Sequence, residues 1–216
     1  LRRRHHRRGY HSGSPASRSG ALLPSPQGPA FVSQSSPTYA TAVGRCAAFP
    51  GSFNPLTVAH LTIAETARHH LDFSMIHLVL SEVTLGKEDD SDLAPVQERA
   101  ARLEPMTERF DWLEVVVTPH QLLCDIASGY DGLVLGADKL AQVLDPRFYG
   151  GDPTHRDAAL ARLPPMAVAP RPPHPVPPEL RLDVPSWLAD VSATAVRAGR
   201  TEWAATSDPA SQQRID

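Results

Sequence analysis

Arg45-Cys46-Ala47-Ala48-Phe49-Pro50-Gly51-Ser52-Phe53-Asn54-Pro55-Leu56-Thr57-Val58-Ala59-His60 couples a short apolar run, a glycine turn and a helix start. Arg45 to Phe49 reads as a buried strand, and Thr57 to His70 as the helix that follows it. Gly51 offers backbone angles closed to other residues, and Asn54-Pro55 favours a turn just before the first helical turn. A helix start with unpaired N–H groups and a positive dipole end suits an anion, and Thr57 and His60 stand on it about one turn apart. The expectation is a strand-turn-helix unit whose backbone and side-chain donors face outward toward a phosphate. Taken singly, His60 would more often pack or meet solvent.

Outward from this unit the pattern alternates. Strands are expected at Val43 to Phe49, Met75 to Leu80, Leu113 to Val117, Gly132 to Leu135 and Met166 to Ala169. Between the second and third, Val96, Ala100, Leu103 and Met106 recur at helical spacing behind Pro95, so Pro95 to Thr107 reads as a helix. Strands alternating with helices imply an α/β fold, a doubly wound parallel sheet with right-handed crossovers. Ligands of such sheets bind beyond the carboxyl ends of the strands. The turn after the first strand and the Gly136-Ala137-Asp138 step after the fourth should therefore face one crevice. Pro170-Arg171-Pro172-Pro173-His174-Pro175 reads as a stiff connector that carries the chain back to the phosphate side.

The 216 residues, 41% of them hydrophobic, suit one domain plus tails. We expect a disordered basic N-terminal tail over 1–42, an α/β domain over 43–200 and a polar C-terminal tail over 201–216. Residues 1–64 hold seven arginines and no acid, which leaves the remainder of this −3 chain at −10. The Arg- and Ser-containing, acid-poor start also fits an organellar transit peptide. Because the chain begins at Leu1, part of this stretch is expected to lie outside the working protein. No stretch is long and apolar enough to cross a membrane, and Cys46 and Cys124 make neither a disulfide framework nor a metal cluster, so a cytoplasmic location is the default. The basic tail leaves nucleic-acid contact open, but the acidic domain lacks the aromatic and basic surface of a nucleic-acid reader.

With those residues in place, the first unit resembles the signature G-(S/T)-F-(D/N)-P-x-(H/T)-x-G-H of the nucleotidyltransferase superfamily, with Ala59 replacing the glycine before the last histidine. Val191-Ser192-Ala193-Thr194-Ala195-Val196-Arg197 resembles the superfamily's second signature, I-S-(S/T)-T-x-(I/V)-R. Two hydroxyls at a helix start and a planar guanidinium suit phosphate oxygens, although a Ser cap with a solvated arginine is the plain alternative. Gly136-Ala137-Asp138 resembles a third motif, and Lys87 stands where many relatives carry a phosphate-contacting lysine, beside the acidic run Glu88-Asp89-Asp90. Asp138 alone reads nearly as well as a helix cap.

The resemblance, over roughly residues 43 to 200, implies a Rossmann-like fold of the HUP type and the branch of nicotinate or nicotinamide mononucleotide adenylyltransferases. It implies that Thr57 and His60 bind the α-phosphate and bridging oxygen, with Gly51, Ser52 and Phe53 forming the turn. Lys87 would shield charge between the substrates, and Ser192, Thr194 and Arg197 would hold the β- and γ-phosphates. Gly136 and Asp138 would contact the nucleotide's sugar or base. ATP is the implied donor, since the Arg-Tyr-Val-Asp-like segment of cytidylyltransferases is absent, and Mg²⁺ would ride on the triphosphate. Partners are then small nucleotides, and a homo-oligomer stays open. Phe148 or Tyr149 in Arg147-Phe148-Tyr149-Gly150-Gly151 could stack on a pyridine ring, or simply pack. Three alternatives stand beside this reading: a nucleotide-binding relative with little or no transferase activity, a transferase for another acceptor such as phosphopantetheine, and a fragment of a class I aminoacyl-tRNA synthetase. The last lacks a Lys-Met-Ser-Lys-Ser-like segment.

Overall fold

Five parallel strands, in the spatial order β3-β2-β1-β4-β5, organise the chain in a computed structural model that describes residues 44–83 and 93–206. The strands are β1 (Cys46–Pro50), β2 (Met75–Ser81), β3 (Leu113–Thr118), β4 (Gly132–Gly136) and β5 (Met166–Ala169). The helices are α1 (Val58–His70), α2 (Val96–Arg109), α3 (Leu123–Ile126), α4 (Ala137–Leu144), α5 (Pro153–Leu160) and α6 (Ala193–Arg197). This is the expected α/β doubly wound, Rossmann-like architecture. The chain steps outward from β1 through β2 to β3, then returns to the other side of β1 for β4 and β5. Its order reverses between β1 and β4, and connections leaving those two strands diverge there and open a crevice.

The apolar runs fill both faces of the sheet, as buried parallel strands require. On β2 the pleat sends Ile76, Leu78 and Leu80 to one side, against Leu61, Ala64 and Ala67 of α1 and Leu103 and Met106 of α2. Val79 points to the other side, where Cys46, Ala48, Leu133, Leu135 and Val168 meet Ile126, Tyr130 and Leu140. Ala64 and Ala67 are fully buried, and their small side chains let α1 lie close to the sheet.

Several boundaries differ from the sequence expectation. Described β1 pairing begins at Cys46 and extends to Pro50; Val43 lies outside the described residues. Thr57 caps α1 instead of opening it, and Pro95 likewise precedes α2, which continues two residues further, to Arg109. The folded part reaches past residue 200: Thr201–Trp203 forms a 3-10 turn, Ala204 bridges to Thr57, and the Ala205 N–H donates to the Leu56 carbonyl at 3.0 Å. The basic stretch 1–42, Lys87 with its acidic neighbours and residues 207–216 lie outside the described residues. Among the described residues no helix is long and apolar enough to cross a membrane.

Candidate active site

The loop leaving β1 is shaped by an aromatic ring. The Gly51 N–H donates to the Val79 carbonyl at 3.1 Å, which keeps the loop attached to the sheet edge. The left-handed backbone expected of Gly51 occurs instead at Phe53, with φ 43°. Gly51 is needed for space: a Cβ there would come 2.7 Å from Phe53 Cζ. The Phe53 ring is buried and packs edge-on against Phe49 and His60, with centroids 5.6 and 5.1 Å away. The chain then passes a cis Asn54–Pro55 bond and enters α1.

At the start of α1 the expectation of outward donors needs correction. Thr57 and His60 close on each other as a capping box. The Thr57 N–H donates to His60 Nδ1 at 3.0 Å, the His60 N–H reaches Thr57 Oγ1 at 3.4 Å, and Oγ1 lies 2.8 Å from Nδ1. Because a backbone N–H occupies Nδ1, the neutral ring carries its hydrogen on Nε2. Burial pushes the His60 pKa down to about 4; the Arg171 charge adds to that, and Asp138 opposes it. At neutral pH His60 is therefore an uncharged donor, and among the described residues Nε2 has no acceptor.

From β4, Gly136 leads into α4. A Cβ on Gly136 would meet Asp138 Oδ1 at 2.7 Å, so the glycine leaves room for the carboxylate to fold back over it. Gly136 is itself the helix cap residue, and Asp138 stands in the first turn, which sets aside the cap reading of Asp138. Its side chain is exposed, and Lys139 beside it donates to Gln142 Oε1 at 2.7 Å.

The far motif returns across the loop. Ser192 caps α6, its Oγ accepting from the Ala195 N–H at 3.0 Å, so the plain cap function of this hydroxyl is present. Arg197 donates through one nitrogen to the Asn54 carbonyl and through another to Thr194 Oγ1 at 3.4 Å. Beneath it, Val58 and Ala59 form an apolar cluster with Leu188 and Val191, and there the Ala59 methyl is buried.

These elements border one cleft of about 390 Å³. Gly51, Ser52, Phe53, Thr57, His60, Gly136, Asp138, Ser192, Thr194 and Arg197 all line it, so the structure brings together every anticipated site residue it describes. Phe148 and Tyr149 also line the cleft, and burial raises the Tyr149 phenol pKa. Arg171 is a cation that sequence reading assigned to a connector. It lines the cleft two residues past β5, and one guanidinium nitrogen reaches the Val191 carbonyl at 3.5 Å. Its place just beyond a parallel strand's carboxyl end was the available signal. With Arg171, Arg197 and Lys139 against the carboxylate of Asp138, the lining favours an anionic occupant. Among the described residues no group of three or more acids, histidines or cysteines could hold a metal ion. Among the described residues Asp138 supplies the one lining carboxylate, a donor set that fits a Mg²⁺ arriving on phosphate oxygens rather than one caged by protein.

Residues 48–198 match the model of the cytidylyltransferase-like family. No curated protein matches the chain significantly. Similar solved structures include nicotinic acid mononucleotide adenylyltransferase of Plasmodium falciparum complexed with NaAD, at 11% identity and a TM-score of 0.48, covering 72% of this chain and 83% of that one. The same enzyme complexed with APC has 12% identity and a TM-score of 0.47, with the same coverage.

Proposed function

This chain belongs to the cytidylyltransferase-like family of nucleotidyltransferases, and we propose that it transfers the adenylyl group of ATP to a phosphorylated acceptor, by preference nicotinate or nicotinamide mononucleotide. An acceptor phosphate oxygen attacks the α-phosphorus in line; the bond from that phosphorus to the bridging oxygen breaks, and pyrophosphate leaves with the electron pair. The acceptor oxygen is already ionised at neutral pH, so no side-chain nucleophile is required. The protein's task is to hold two anions together and to meet the charge that develops on the transferred group.

The observation that carries this reading is the convergence of both motifs on one cation-lined cleft beside His60, whose Nε2–H remains a neutral donor. In the proposed complex His60 donates to the α-phosphate or bridging oxygen. Thr57 orients the ring, and the turn Gly51 to Phe53 lets the nucleotide approach the backbone. Arg171 adds positive charge on the same side. Ser192, Thr194 and Arg197 take the β- and γ-phosphates, Lys87 shields the acceptor, and Gly136 and Asp138 face the sugar or base. Mg²⁺ bound to the triphosphate would neutralise part of its charge. Phe148 or Tyr149 is the stacking candidate for the acceptor ring, an interaction worth on the order of 1 kcal/mol, which orients a ring without selecting it strongly. We place the enzyme in the cytoplasm, a reading supported by two buried free thiols, Cys46 and Cys124.

The Ala59 methyl, where the superfamily signature has glycine, would favour a binding-only relative if it crowded the nucleotide. Its burial against Leu188 and Val191 gives that methyl a packing role at the cleft wall and favours the transferase reading. The test incubates the protein with Mg²⁺, either ATP or CTP, and each mononucleotide or phosphopantetheine, following pyrophosphate and the joined product. Dinucleotide from ATP and a pyridine mononucleotide is the expected result. Turnover of another pair alone would replace the substrate assignment, and tight ATP binding without pyrophosphate release would replace the transferase reading.

A further inference from the structure

The apolar stripe of α2 contains an arginine. Leu103 and Met106 are buried on it, and Arg99 shares their face at 1% exposure. Burying a guanidinium is costly unless its donors are satisfied, and a leucine or methionine would fill the same space without that cost. Arg99 has no carboxylate partner among the described residues. Its hydrogen bonds all end on backbone carbonyls: Nε to Ala94 at 2.9 Å, one terminal nitrogen to Ser52 at 3.0 Å and the other to Ser81 at 3.3 Å. Ala94 precedes α2, Ser81 ends β2, and Ser52 lies in the loop after β1. One planar fork thus ties three segments at the carboxyl edge of the sheet, and a flexible ammonium or an apolar side chain cannot reproduce it.

The bond to Ser52 bears on the cleft. The Ser52–Phe53 peptide is trans and planar, so its carbonyl and N–H point in opposite directions. Holding the Ser52 carbonyl against α2 therefore aims the Phe53 N–H away from α2. Among the described residues that N–H has no acceptor, while Ser52 and Phe53 line the cleft. Arg102, one turn on, extends toward Asn54 Oδ1 at 3.5 Å and supports the next residue of the loop.

We propose that Arg99 is a positioning residue for the transfer reaction, holding the Ser52–Phe53 peptide so that the Phe53 N–H is preset as an anion donor before substrate arrives. The proposal rests on the nucleotidyl-transfer reading. Its test compares Arg99→Lys with Leu103→Ala, a neighbouring core variant expected to lose similar thermal stability. For Arg99→Lys, kcat at saturating ATP should fall about tenfold or more, while KM for ATP changes less than about threefold. Leu103→Ala should keep kcat within about twofold of wild type. Backbone amide exchange of the 50–57 segment should accelerate in Arg99→Lys and not in Leu103→Ala. Equal kcat in the two variants, or unaltered exchange of that segment in Arg99→Lys, would overturn the proposal. If Arg99→Lys does not fold, Arg99→Gln, with amide donors and no charge to bury, takes its place in the comparison. A wild-type protein without turnover would overturn the transferase reading, and amide exchange would still decide whether Arg99 holds the loop.

Discussion

The loop 50–60 and the segment 192–206 border the same cleft, yet Phe53 and Thr57 are 2% and 1% exposed, whereas Thr194 and Arg197 stand in solvent. In the first region each group is held by another: Gly51 by Val79, Phe53 by Phe49 and His60, Thr57 by His60, Ser52 by Arg99. In the second, the exposed Arg197 reaches the buried Asn54 carbonyl with one nitrogen and Thr194 at the surface with another. A locked region can present donors where charge develops without reorganising, which raises turnover. An exposed arginine can move to meet phosphates already present in the bound substrate, which raises affinity. Loop variants should therefore act mainly on kcat, and variants of the far segment mainly on binding.

His60→Ala should show the largest effect, a loss of about a hundredfold or more in kcat, because it removes the proposed transition-state donor. It also removes half of the capping box, at a cost of about 1 kcal/mol to the fold. His60→Gln retains a capping acceptor and separates the two consequences: near-wild-type melting with strongly reduced pyrophosphate release is expected. Unchanged release by either folded variant would break the comparison at its catalytic end.

Gly51→Ala comes next. A methyl 2.7 Å from the Phe53 ring must displace it, and the ring packs against His60, so kcat should fall roughly tenfold to thirtyfold through a misplaced imidazole. Steady-state kinetics would check this, and a larger change in KM than in kcat would contradict a locked loop.

Arg197→Ala should weaken ATP binding by about tenfold, since charge-assisted bonds to phosphate are worth about 1.5–3 kcal/mol and part is offset by freeing the Asn54 carbonyl. Calorimetry showing wild-type affinity would reduce the far motif to a helix cap.

The smallest effect on turnover concerns pH. An unfolded His60 takes up a proton as pH falls through its ordinary 6.5, while the folded protein holds it neutral down to about 4. The unfolded state therefore binds more protons across that window. Stability is full above pH 6.5, declines toward pH 4 and levels off below, a contribution on the order of 1–3 kcal/mol. Melting temperature should fall less steeply over that range in His60→Gln than in wild type, and the imidazole should add no titration to kcat between pH 6 and 8. Parallel melting curves for the two proteins would show that His60 titrates normally.

The sequence by itself determined the order of strands and helices, the strand-turn-helix unit at Gly51 and the paired hydroxyls and arginine at Ser192 to Arg197. These rest on local periodicity and turn chemistry, which neighbouring residues decide among themselves. It also named the cleft's main lining, because both signatures follow the carboxyl edge of a doubly wound sheet. Tertiary structure alone decided that Phe53, not Gly51, takes the left-handed backbone, since the ring's burial against Phe49 and His60 outweighs the local preference of glycine. It alone lowered the imidazole's pKa by burial and by the charge of Arg171, and set Arg99 against Ser52, 47 residues away. The effect of Arg171 on His60 and the bond from Arg99 to Ser52 depend on groups brought together by the sheet from distant parts of the chain, and helical or strand periodicity carries no record of which distant partner a buried face will meet.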